Sequence, residues 1–142
     1  MPDAPRGLLF LCPDGAALGP MAEALARKLA PDRESIAAAP TPGHVRRSVR
    51  DLLRARGLET AGLRARAMSE VDAEEIGHVF VLGEGLSLPP LASRLAVHVW
   101  PTPDPLSGPP GEHREACEAA LDRLEARLSR WLTSARALDD MR

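Results

Sequence analysis

The chain has 142 residues and a net charge of −2, with 44% hydrophobic and 27% charged residues. That length suits one domain that can bury about 70% of its unfolded surface without metal or disulfide staples. The charge excludes a basic footprint for nucleic acid, and no apolar stretch approaches the ~20 residues of a membrane span. The two cysteines, Cys12 and Cys117, form no CxxC motif, which favours a reducing cytoplasm.

The first half of the chain predicts two strands and two helices. Residues 8–11 form a short apolar run typical of a buried parallel strand, and a turn follows at residues 13–15. From Pro20 the apolar residues recur with helical spacing as far as Pro31. A weaker, alanine-rich strand is expected at residues 35–39. A second helix is expected over residues 44–56, closed by Gly57.

The second half predicts two further strands and two helices. A Ser69-x-x-Asp72 capping pattern predicts a short helix over residues 69–76, and strands are expected at 79–82 and 95–99. After a proline-rich loop, the last helix begins near Gly111. Its buried stripe consists of Cys117, Leu121, Leu124, Leu128 and Leu132.

The alternation of strands and helices predicts a three-layer α/β/α fold with a four-stranded parallel sheet. Right-handed crossovers place the carboxyl ends of all strands at one edge, where such folds bind their ligands. The loops after residues 11 and 99 should meet there. We expect residues 1–135 to form a single domain and residues 136–142 to be a frayed tail.

Cys12 ends the first strand and precedes a glycine-bearing turn into a helix. A thiol there faces the helix dipole and several backbone N–H groups, which lower a cysteine pKa and create a nucleophile. The same N–H groups could cradle a phosphate. Without further signals, a buried cysteine acting as a small hydrophobic residue is the better interpretation.

The surrounding motifs change that interpretation. The run LLFLC is followed, eight residues after Cys12, by PMAE at residues 20–23, and Asp104-Pro105 lies in the loop before the last helix. Residues 64–69 precede an acidic segment between these motifs. In this order the sequence resembles the low-molecular-weight protein tyrosine phosphatases and the related arsenate reductases. These proteins open with an apolar strand, a Cys-x5-Arg-Ser loop and Pro-Met-Ala-Glu.

The resemblance covers nearly the whole chain and implies the low-molecular-weight phosphatase fold. It also implies a site in which Cys12 corresponds to the nucleophile and Asp104 to the general acid. In that family the thiolate attacks phosphorus in line, while an arginine and backbone dipoles hold the equatorial oxygens. The Asp protonates the leaving oxygen, and the phosphocysteine is then hydrolysed.

The loop that should hold the anion departs from the family pattern. Leu18 stands at the arginine position, Gly19 replaces the Ser or Thr whose hydroxyl supports the thiolate, and Pro13 lacks an N–H. The candidate ligand-binding positions are Asp14, Gly15, Ala16, Ala17, Leu18 and Gly19. Asp14 puts a carboxylate where the family has Gly, and Gly15 replaces a bracing Asn. We therefore expect a degenerate phosphate loop, although Leu18 could simply pack beneath the helix.

Substitute cations could come from His44, Arg46 and Arg47, which follow the second strand and should lie at the rim of the site. Exposed helical arginines are more often only solvated. No spacing of His, Cys or carboxylates indicates a metal site, and we expect no cofactor. Residues 83–90 contain no cysteine, which argues against the relay of thioredoxin-coupled arsenate reductases.

Three functions remain in competition. The first is a pseudo-phosphatase that binds a protein partner or a small ligand at the remodelled pocket. The second is an active phosphatase acting on phosphotyrosine or small phosphoesters through Cys12 and Asp104. The third is a redox or thiol-sensing role for Cys12 alone. Leu18 at the arginine position favours the first over the second.

Overall fold

The computed structural model describes residues 7–13, 15–40, 43–83 and 95–141. Its centre is a six-stranded sheet in the order β3-β4-β2-β1-β5-β6. The strands are β1 (Gly7–Leu11), β2 (Ser35–Ala39), β3 (Gly43–His44), β4 (Arg64–Ala67), β5 (Ile76–Val81) and β6 (Ala96–Val99). All neighbouring pairs are parallel except β3 and β4, which are antiparallel. The parallel α/β architecture predicted from the sequence is confirmed.

The predicted number of strands, four, was too low. The two additional strands are β4, which pairs with β2 through Ala37 and Ala65, and the two-residue β3, which pairs only with β4. Because β4 reads RARA, its sequence has no apolar run. It is held by the burial of Ala65 and by ladder hydrogen bonds. These strands extend the sheet on the side of β2.

Three α-helices are described: α1 (Leu18–Leu29), α2 (Arg47–Ala55) and α3 (His113–Asp140). The short helix expected over residues 69–76 is instead two 3₁₀ turns, Met68–Glu70 and Ala73–Glu75. The extended backbone of Val71 and Asp72 separates them, and the Asp72 side chain caps the second turn by accepting from the Glu74 N–H. None of the described helices has the length and apolarity needed to cross a membrane.

The hydrophobic core divides into two clusters on the two faces of the sheet. The larger cluster joins α1, α2 and α3 to one face and includes Leu8, Phe10 and Phe80. The smaller covers the opposite face with strand residues such as Leu9 and Val79. Among the described residues it is completed by Met68 and Val71 from the region of the first 3₁₀ turn. Because β1 is buried on both faces, its sequence is a continuous apolar run.

Candidate functional site

The carboxyl ends of β1, β5 and β6 meet beside the start of α1. The Leu82 N–H donates to the Leu11 carbonyl at 3.0 Å, and the Thr102 N–H donates to the Leu82 carbonyl at 3.2 Å. These bonds draw the loop after β6 towards the loop after β1. A pocket of about 160 Å³ lies between them and is lined by Pro13, Leu18, Gly83, Thr102, Pro103 and Asp104. The structure thus brings together the loop after Cys12 and the proposed acid Asp104.

Cys12 immediately precedes Pro13 in the chain but is not among the described residues that line this pocket. The residue is 1% exposed, and its thiol donates to the Ala38 carbonyl with an Sγ–O distance of 3.6 Å. A Cβ atom built on Gly19 would lie 2.3 Å from the Cys12 Sγ. Real side chains do not approach so closely, so the thiol fills the space that a side chain at position 19 would need.

Leu18 is the first residue of α1, and its side chain belongs to the hydrophobic core at 4% exposure. It also forms part of the pocket wall that faces Asp104. The resemblance assigns an arginine to this position, which would present a guanidinium to a bound anion. The wall therefore offers an apolar surface where a phosphatase offers its main cation.

The loop backbone is fixed by two neighbouring elements. Gly15 has φ +78°, and a Cβ there would lie 2.4 Å from the Cβ of Ala65 in β4, so only glycine fits. The Ala16 carbonyl accepts the Arg46 N–H at 3.0 Å, which ties the loop to the start of α2. Ala17 precedes α1 without a side-chain cap. Asp14 lies outside the described residues.

Asp104 has an exposed carboxylate that takes part in a local turn. Its Oδ1 accepts the Leu106 N–H at 2.9 Å, and its carbonyl accepts the Ser107 hydroxyl at 2.8 Å. Asp104 also borders a second cavity of about 190 Å³, which is lined in addition by Thr102, Pro103, Pro105, Arg123 and alanines of α3. Asp104 therefore lies in the pocket next to Pro13, and its hydrogen bonds are those of an ordinary turn residue.

The three proposed rim residues do not line either cavity. His44 lies in β3, Arg46 immediately precedes α2 and Arg47 begins it, and all three are exposed. Arg46 nevertheless acts electrostatically on Cys117 in α3. Burial raises the pKa of the Cys117 thiol, the Asp104 carboxylate raises it further, and Arg46 opposes them. Of the three, Arg46 therefore has the clearest link to the surroundings of Asp104.

Glu23, the last residue of the PMAE segment, has a role that the sequence did not reveal. Its carboxylate is fully buried and accepts from Arg27 at 2.7 Å, Arg66 at 2.9 Å and the Ala37 N–H at 2.8 Å. These bonds join α1 to β2 and β4 directly behind the loop. The signal available in the sequence was a carboxylate inside an apolar helical segment. Its partner Arg66, however, lies 43 residues away.

Within the residues that the structure describes, no group of three or more His, Cys, Asp or Glu side chains could hold a metal ion. The candidate site therefore consists of an apolar pocket wall, one carboxylate, a sealed thiol and a loop fixed by packing. None of the described residues on the wall of the pocket is a cation.

Comparison with solved structures identifies the fold. An arsenate reductase from Archaeoglobus fulgidus is 25% identical, with a TM-score of 0.67 over 84% of this chain and 96% of its own. The tyrosine phosphatase Wzb from Escherichia coli K30, in complex with sulphate, is 19% identical, with a TM-score of 0.67 over 89% and 98%. The YwlE arginine phosphatase from Geobacillus stearothermophilus is 23% identical, with a TM-score of 0.66 over 94% and 96%.

No protein-family model matches the sequence, and no curated protein matches it significantly. The chain has the fold shared by the low-molecular-weight tyrosine phosphatases and the arsenate reductases, as the sequence resemblance predicts.

Proposed function

We propose that this protein is a low-molecular-weight phosphatase-like binding module that does not hydrolyse phosphoesters. The observation that supports the proposal most directly is the packing at positions 18 and 19. Leu18 puts a buried apolar side chain at the arginine position, and the Cys12 thiol occupies the space beside Gly19. A phosphatase of this fold needs a cation and a supported thiolate at these two positions.

The electrostatics of the pocket support the same conclusion. An arginine that holds the transferring phosphoryl group contributes a factor of roughly 10³–10⁵ to the rate. Among the described residues that line the pocket none is a cation, and Asp104 is the only charged one. A phosphate entering the pocket would meet a negative charge without a compensating positive one. The binding of an oxyanion is therefore opposed before any chemistry begins.

The same features suit a different ligand. The pocket and its neighbouring cavity share Thr102, Pro103 and Asp104, and most of their remaining lining is apolar. The charged residues of this largely apolar recess are Asp104 and, in the neighbouring cavity, Arg123. Such a recess can accept an apolar side chain whose backbone or amide N–H groups bond to Asp104. We propose that the remodelled pocket holds such a group from a protein partner or a small neutral ligand.

The hydrolysis of p-nitrophenyl phosphate and of a phosphotyrosine peptide, measured near pH 6, tests the proposal. We expect turnover that does not exceed that of the Cys12→Ser variant. Turnover of about 1 s⁻¹ or more that is abolished by Cys12→Ser would contradict the proposal. The Asp104→Asn variant serves as a second control, because a phosphatase would lose its general acid.

An active phosphatase is the second candidate, and one observation favours it. Asp104 lies in the same small pocket as the residue that follows Cys12, which is the arrangement that a nucleophile and a general acid require. An active enzyme would have to draw its cation from Arg46 or another arginine near the rim. Loss of turnover in Arg46→Gln, with turnover retained in Arg47→Gln, would identify that replacement.

A further inference from the structure

A second cleft, separate from the Asp104 pocket, lies between the end of β6 and the later turns of α3. Its volume is about 400 Å³, and it shares no lining residue with the two cavities at Asp104. It is lined by Val99, Trp100, Arg127, Arg130, Trp131 and Ser134. The chain contains only two tryptophans, and both line this cleft.

The charge of the cleft is positive. Arg127 and Arg130 are three residues apart on one face of α3, and none of the described residues that line the cleft is acidic. Arg127 donates one hydrogen bond to the Pro101 carbonyl at 3.2 Å, which leaves further N–H groups of its guanidinium for a ligand. Arg130 is exposed and makes no hydrogen bond or ion pair within the described part of the chain. Two guanidiniums so placed complement an anion, and phosphate suits their geometry.

The aromatic side of the cleft is held rigidly. Trp131 makes edge-on contacts with His78 and Phe80, with ring centroids 4.7 and 5.0 Å apart, and Trp100 lies 4.6 Å from Phe80. Beside them, Val99 is a large apolar residue with 62% exposure. Arg33 lies over one face of the Trp131 ring, 5.6 Å from its centroid. The remaining indole surface in the cleft, next to the guanidiniums, can stack on a flat heterocycle with little ordering cost on the protein side.

We infer that this cleft binds a mononucleotide, with the base against the tryptophans and the phosphate between Arg127 and Arg130. Ser134 also lines the cleft and supplies a hydroxyl for the sugar or the phosphate. The cleft is large enough for such a ligand, since small-molecule sites range from about 300 to 1,000 Å³. This site is independent of the proposed loss of phosphatase activity, because it uses none of the residues of the Asp104 pocket.

Intrinsic fluorescence tests the inference, because the chain has no tyrosine and both tryptophans line the cleft. The full chain is titrated with adenosine 5′-monophosphate, with adenosine and with inorganic phosphate, and is excited at the red edge of tryptophan absorption. We expect saturable quenching by the nucleotide. Adenosine and phosphate should bind at least about tenfold more weakly, because each lacks one half of the recognised group. Arg130→Gln should weaken nucleotide binding about tenfold.

Arg114→Gln is the matched control, since Arg114 is an exposed arginine of the same helix outside the cleft. The Arg114→Gln variant should bind adenosine 5′-monophosphate with the same affinity as the unmodified protein. Adenosine binding as tightly as the nucleotide would overturn the role of the arginines. No saturable quenching up to about 10 mM nucleotide, or an Arg130→Gln variant that binds normally, would overturn the site itself. Arg130 is exposed, so this variant should keep its fold, and its melting temperature verifies that.

Discussion

The loop before α1 and the first turns of α1 are adjacent in sequence, yet they differ in how they relate to the phosphatases they resemble. The helix keeps the PMAE segment, and its Glu23 is buried among Arg27, Arg66 and the Ala37 N–H. The loop keeps Cys12 but carries Leu18 and Gly19 at the positions that hold the anion and support the thiolate. Residues that join α1 to the sheet resemble the family, whereas residues that would contact phosphate do not.

The difference between the helix and the loop follows from what residues at the two places contribute to stability. Removing a partner from a buried ion pair leaves an uncompensated charge and costs about 3–5 kcal/mol of a total stability that is itself about 5–15 kcal/mol. A leucine in place of an arginine at a pocket wall takes away a cation that could hold an anion but adds apolar burial. A scaffold can therefore tolerate the second kind of change and not the first.

The largest effect is expected at Glu23. The Glu23→Gln variant should lower the free energy of unfolding by about 3–5 kcal/mol, because Arg66 and Arg27 lose the carboxylate they share. Denaturant unfolding followed by far-UV circular dichroism measures this. The matched control is Glu70→Gln, which breaks the exposed pair with Arg64 and should cost far less, because solvent screens that pair. Equal losses of unfolding free energy in the two variants would show that the buried Glu23 cluster does not stabilise the fold more than an exposed ion pair does.

The second effect concerns the backbone of the loop. Gly15→Ala should lower the free energy of unfolding by about 2–4 kcal/mol, because the positive φ is strained for alanine and its Cβ would collide with Ala65. Gly62→Ala is the control with nearly the same φ, +67°, and nothing within 4 Å of the added carbon. It should cost only about 1–2 kcal/mol. A difference of zero between the two variants would mean that the loop is not packed against β4.

A smaller effect is expected at Gly19 and depends on Cys12. Gly19→Ala should destabilise the protein by about 1–3 kcal/mol through the clash with the Cys12 Sγ, although alanine is the better helix former. In a Cys12→Ala background the same change should cost at least about 1 kcal/mol less, because the sulfur is gone. Additive effects in this double-mutant cycle would show that the thiol does not occupy the space beside Gly19.

The smallest effect is a pH dependence of stability at His98. This residue belongs to neither the loop nor α1, so it serves as a reference for both. Burial lowers the pKa of His98, whose Nε2 lies 3.1 Å from Nδ1 of His78. The unfolded chain therefore binds this proton more tightly than the folded chain. Neutral His98 therefore adds to the free energy of unfolding. This contribution is fully present above the ordinary histidine pKa of about 6.5 and is lost as the pH falls below it. Unfolding measured across this range should show the loss, and His98→Gln should reduce it.

The sequence was sufficient to predict the parts of the fold that depend on apolar runs. Strand β1 and residues 79–81 of β5 carry continuous apolar residues because they are buried on both faces, and the stripe of α3 follows helical spacing. The sequence was insufficient for β4, because its RARA pattern owes its extended form to pairing with β2. The break between the two 3₁₀ turns was also unpredictable, because it depends on the extended backbone of Val71.

The candidate site was predictable to a similar degree. The family resemblance assigned Leu18 to the arginine position, and the structure brings Leu18 and Asp104 to one pocket. Three facts required the structure: the close approach of position 19 to the thiol, the contact of Gly15 with Ala65, and the partners of Glu23. Each of these facts concerns residues that are distant in the chain or depends on the direction of a side chain. Local sequence patterns contain neither kind of information.

The reactivity of Cys12 tests most directly whether this chain keeps the fold without a poised nucleophile. In a Cys117→Ala background Cys12 is the only thiol, and its alkylation by iodoacetamide at mildly acidic pH can be followed by mass spectrometry. A thiol sealed beside Gly19 should react much more slowly than in the unfolded chain, and added phosphate should not change the rate. Rapid alkylation of the folded protein that phosphate blocks would contradict this, because it would show an accessible thiolate in a working anion site.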